Sequence, residues 1–170
     1  VKKHWKISAA AALAAVICWC IWYSQPITVF DLKPELEPAV IDIYIQRFGD
    51  SSEKNESLIF DVNAATPEGR VLLEQLEVIR IRRSPLNPLR KVLPSTFTGR
   101  QTQDGQYNYV IHVFGASGGW IALQIFIDEW AYDLSEQPQY LPCQVSGGKS
   151  IAQTLGDELW QMAQQAKSIS

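Results

Sequence analysis

Residues Tyr107 to Trp130 read YNYVIHVFGASGGWIALQIFIDEW, and the fold turns on them. Tyr109, Ile111 and Val113 alternate with polar neighbours, and Ile121, Leu123, Ile125 and Ile127 repeat the pattern after Gly115-Ala116-Ser117-Gly118-Gly119. Period-two alternation on both sides of a glycine-rich break predicts a β-hairpin with one face buried. His112, Trp120 and Gln124 are then expected on the opposite face of the sheet.

Working back from this hairpin, Val40 to Phe48 alternates Ile41, Ile43 and Ile45 against Asp42, Tyr44 and Gln46. Glu56 to Val62 returns after a polar turn with Leu58, Phe60 and Val62 inward. Thr66-Pro67 starts a helix, since threonine caps free amides and proline at the first helical position gives up an N–H that lacks a partner there anyway. Val78 to Arg83 reads as an edge strand whose arginines discourage pairing. Ser84 to Asp104, with Pro85, Pro88, Pro94 and Gly99, is the longest irregular segment. Tyr140 to Val145 is a further short strand. A final helix is expected from Ser150, with Ser150 and Gln153 at capping-box spacing and Ile151, Leu155, Leu159, Met162 and Ala166 along one stripe.

Strands that neighbour one another in sequence favour an antiparallel α+β domain over a doubly wound sheet. The expected fold is a mostly antiparallel sheet of about 5–6 strands with two packed helices, preceded by one N-terminal transmembrane helix. Ile7 to Tyr23 carries no charge, follows Lys2, Lys3 and Lys6, and gathers Trp19, Trp22 and Tyr23 at its far end. These features are those of a membrane span with an interfacial aromatic belt and a positive inner flank. The end of the run offers no small pair for a signal peptidase apart from Cys18 and Cys20, so a retained anchor is preferred to a secreted chain cut from its leader. Four segments are expected: a cytoplasmic basic segment at 1–6, a signal anchor at 7–23, a proline-bearing connector at 24–38 and an extracytoplasmic domain at 39–170. Val1 followed by lysines is similar to an initiator read from a non-standard start codon, which implies a complete bacterial chain.

Of the 15 basic residues 12 lie beyond the anchor with all 18 acids, a net charge of −6 there, which argues against a nucleic-acid binder. Cys18 and Cys20 belong to the apolar run and Cys143 stands alone beyond it, so no disulfide is expected in the domain, and Cys143 reads as a small buried side chain.

Motifs that carry chemistry fail in turn. Gly148-Lys149-Ser150 opens a helix, but a phosphate loop needs glycine where Cys143 stands. Ser146 to Lys149 and Ser51 to Lys54 both fit serine-x-x-lysine, and neither has the companion elements of penicillin-recognising enzymes. The histidines are His4 and His112, too few for zinc. Asp128, Glu129, Asp133 and Glu136 lack the glycine-turned loop of a calcium site. No metal, cofactor or catalytic set is expected.

Two groups of residues point to binding. Tyr44, His112, Trp120 and Gln124 mix aromatic and polar groups on one sheet face, as binding surfaces do; the plainer reading is that the C-terminal helix covers them. Arg80, Arg82, Arg83, Arg90, Lys91 and Arg100 concentrate positive charge suited to lipid headgroups, an anionic wall polymer or an envelope protein; the plainer reading is a solvated edge and loop. The chain also resembles small uncharacterised domains behind signal anchors in Gram-positive bacteria. The resemblance covers roughly residues 36 to 145: a hairpin, a helix, Arg82-Arg83-Ser84 followed by Pro85, then a hairpin with an aromatic and acidic second strand. It implies the fold and brings no activity. The expectation is a membrane-anchored binding, sensory or assembly module. The alternatives are an envelope hydrolase using His112 with acids such as Asp128 and Asp42, and a structural subunit of an envelope complex.

Overall fold

The computed structural model describes residues 2–49, 55–87, 103–127, 129–134 and 140–169, with backbone alone at 2–7 and 168–169. The strands are β1 (Ile27–Thr28), β2 (Pro38–Arg47), β3 (Glu56–Asn63), β4 (Arg80–Arg83), β5 (Tyr107–Gly115), β6 (Trp120–Phe126), β7 (Glu129–Asp133) and β8 (Leu141–Val145). The helices are α1 (Lys2–Tyr23), α2 (Pro67–Val78) and α3 (Gly148–Ile169), with a 3-10 turn at Phe30–Leu32. All eight strands join one sheet in the order β1-β4-β8-β7-β6-β5-β2-β3, and every pair is antiparallel.

The domain is α+β and antiparallel, but its strand count corrects the expectation of 5–6. One extra strand is β1, two residues paired with Ile81 and Arg80 of β4, too short to leave a periodic signal. Another arises because the run Trp120 to Trp130 is two strands. Ile127 adopts φ 61°, the chain reverses there, and Phe126 pairs with Glu129. Ile127 thus sits in a turn instead of on the buried face. Its N–H donates to the Tyr107 carbonyl at 2.9 Å, which ties the turn to the start of β5.

The transmembrane helix is also corrected. Among the described residues no helix is long and apolar enough to cross a membrane. The uncharged run of α1, Ile7 to Tyr23, rises about 25 Å at 1.5 Å per residue, short of a hydrocarbon core of about 30 Å. Residues 8–19 of α1 are exposed. At its C-terminal end Trp19 stacks on Tyr23 at 5.2 Å, and the Arg83 guanidinium lies 4.3 Å from the centre of the Tyr23 ring.

Both later helices pack on one face of the sheet. Tyr109 donates its hydroxyl to the Ala152 carbonyl at 3.0 Å, Tyr107 to Asp157 at 2.8 Å, and the Trp130 indole N–H to the Gly148 carbonyl at 3.2 Å. These three bonds let large aromatic side chains sit beneath α3 without burying an unpaired polar atom. Helix α3 starts at Gly148, two residues before the expected cap, and buries Ala152, Leu155, Leu159 and Ala163; Ile151 and Met162 are only half-buried. Each fully buried leucine contributes about 2 kcal/mol by removal from water.

Helix α2 begins as its sequence dictates. Pro67 occupies the first turn and the Thr66 hydroxyl accepts from the Gly69 N–H at 3.1 Å. Gly69 lies so close to β3 that a Cβ there would stand 2.2 Å from the Asn63 carbonyl oxygen. Gln75 donates to the Glu158 carboxylate, joining α2 to α3. Between helices and sheet, Ile41, Ile43, Ile45, Leu72, Leu76, Tyr109, Ile111 and Leu123 form a continuous core.

Candidate binding face

Strand alternation sends every second side chain to the face away from α2 and α3. On β5 these are Asn108, Val110, His112 and Phe114, since Tyr107, Tyr109, Ile111 and Val113 are buried on the helix side. Register fixes their neighbours. Asp61 of β3 stands opposite Asp42 of β2, Asp42 opposite His112, His112 opposite Ala122, and Ala122 opposite Asp133 of β7. In the adjacent row Ile59 stands opposite Tyr44, Tyr44 opposite Val110, Val110 opposite Gln124, and Gln124 opposite Ala131. Phe114 pairs with Trp120.

The structure therefore brings Tyr44, His112, Trp120 and Gln124 onto one face. All four are half-buried. The His112 ring lies 5.8 Å from Trp120 in an edge-on contact and 5.9 Å from Phe114, so the imidazole is held between two aromatic rings. The expectation that the C-terminal helix covers this face is overturned, because α3 packs on the opposite one. Among the described residues no helix lies over it.

The face is electrostatically divided. Asp42 and Asp61 mark the β2–β3 end, and two carboxylates directly opposite one another oppose sheet pairing. Arg80 and Arg82 are exposed at the β4 end, on the same face because Ile81 points into the core. Arg83 departs from the expected basic group: it faces the helix side and lies over Tyr23. Consecutive residues on a strand point to opposite faces, so Arg82 and Arg83 do not share one. Arg90, Lys91 and Arg100 lie outside the described residues, as do Asp128 and Glu136.

Burial pushes the His112 pKa below its usual 6.5, against the opposing pull of Asp42 and Asp133; the ring is neutral near pH 7. Asp133 is buried, 1% exposed, within this face. The Asn108 side-chain carbonyl oxygen is buried and has no hydrogen-bond partner among the described residues. A buried acceptor left unpaired costs about 1–3 kcal/mol.

No protein-family model, curated protein or solved structure matches the chain.

Three grooves lie between α2 and α3 and at the start of α3, on the helix side, and neither Asp42 nor His112 lines these three. No group of three or more His, Cys, Asp or Glu among the described residues is arranged to hold a metal ion. Cys143 pairs with Trp130 and Arg83 in the sheet, and burial pushes its thiol up to about 12, which leaves it protonated and a poor nucleophile. Phe114 was not expected on this face, and Asp133 was weighed only as one of four acids for a calcium site. Phe114 shares the parity of His112 and was within reach of that argument. Asp133 became visible only when β7 separated from β6.

Proposed function

We propose that this protein is a binding or assembly module and that its helix-free sheet face is the contact surface. The observation that carries the reading is the placement of both packed helices on one face, leaving Tyr44, His112, Phe114, Trp120 and Gln124 half-buried on the other. Aromatic side chains with polar ends, set on a rigid sheet, suit such a role because they bury large area and lose little rotamer freedom on binding. The acids at one end and arginines at the other fit a partner whose own charges run in the reverse sense. The external location expected from the sequence rested on a membrane span and is not part of this reading.

A photo-crosslinking residue placed at Tyr44, Trp120 or Gln124 should capture a partner from the source cells, whereas the same group at the exposed Val71 of α2 should not. Trp120→Ala should weaken capture by more than about tenfold while leaving the fold intact. Equal capture from both faces would sink the proposal.

A further inference from the structure

The two ends of the sheet differ. One ends in β1, two residues long; the other ends in β3, eight residues from Glu56 to Asn63, paired among the described residues with β2 alone. An outermost strand presents a row of N–H and C=O groups to whatever arrives, and folded proteins usually blunt such an edge with lysine, proline, a bulge or brevity. Strand β3 has no lysine, proline or bulge and is not short; its charges are the exposed Glu56 and Asp61, one near each end. Its register with β2 runs unbroken from Val40 opposite Asn63 to Arg47 opposite Glu56, and Ile59 on it is 78% exposed.

Its sequence also says which partner fits. Set two β3 strands antiparallel about a two-fold axis through Ile59. Ile59 then meets Ile59 of the second copy, Leu58 meets Phe60, Ser57 meets Asp61 and Glu56 meets Val62. No like charges stand opposite one another. Sliding by two residues places Ile59 against Ser57 or against Asp61, and sliding by one sets Glu56 against Asp61 in one direction and Leu58 against Asp61 in the other. We propose that β3 is a self-pairing edge, and that its occupant is β3 of a second copy in the register centred on Ile59. The two helix-free faces then lie on the same side of one continuous sheet. This inference does not rest on the binding role of that face.

The test is sedimentation velocity of the full chain over a concentration series, in a non-ionic detergent that covers the exposed apolar residues of α1. The wild type should dimerise reversibly. Ser57→Lys sets a cation opposite Asp61 and should tighten the dimer; Ser57→Asp sets like charges there and should loosen it. Each pair occurs twice across the two-fold, so each change is roughly 2- to 30-fold in dissociation constant. Ile59→Lys should abolish the dimer. Positions 57 and 59 are exposed, so thermal melts by circular dichroism should match the wild type and confirm that each variant folds. A monomer at every concentration, or a dimer indifferent to the charge at position 57, as association through α1 would be, overturns the proposal.

Discussion

At the scale of single residues, two glycines explain how closely the layers approach. A Cβ at Gly156 would stand 2.5 Å from Cδ2 and 2.8 Å from Cγ of Tyr107. That ring cannot easily retreat, being tied to Asp157 and packed 6.3 Å from Trp160. Alanine normally favours a helix over glycine by about 1 kcal/mol, but overpacking costs about 1–3 kcal/mol. Gly156→Ala should therefore lower stability, and Gly69→Ala should lower it more, because its obstruction is backbone. Urea denaturation should give that order. In the sequence these glycines are only interruptions in helical patterns; their purpose belongs to contacts between distant segments. The residues of the helix-free face were more legible, since the shared placement of Tyr44, His112, Trp120 and Gln124 follows from the parity of their strands.

Among elements, the turn between β6 and β7 shows where local sequence misleads. Ile127 has none of the chemistry of a tight turn, and β-branched residues rarely take positive φ. A left-handed conformation costs about 1–2 kcal/mol for such a residue, offset here by pairing through β7. Ile127→Asn should raise stability by up to about 1 kcal/mol, because asparagine tolerates that conformation; a lowered melting temperature would contradict the strain. The hairpins, α2 and α3 were legible because their periodicity is long and clean. Strand β1 was not, being two residues long. Within the basic stretch Arg82 and Arg83, neighbours in sequence, lie on opposite faces of β4.

For the whole molecule, buried tyrosines and one histidine set the pH range of stability. Burial raises Tyr107 and Tyr132 to about 12 and Tyr109 further still, whereas unfolded phenols ionise near 10. Between about pH 10 and 12 the unfolded chain has released protons that the folded one holds, so stability falls as pH rises through this window. His112 acts at the other limit. Its folded pKa lies below 6.5, the unfolded chain binds the proton first, and stability is lost as pH falls below 6.5. Chemical denaturation across pH should show a plateau between these limits, and His112→Gln should reduce the slope at the start of its acid limb. Beyond single chains, the unequal edges of the sheet bear on polymerisation. A strand with two matched ends can propagate into a fibril; here β1 offers only two residues to an incoming strand, too few to hold a third copy. Edge pairing through β3 therefore exhausts itself in a finite particle of two chains.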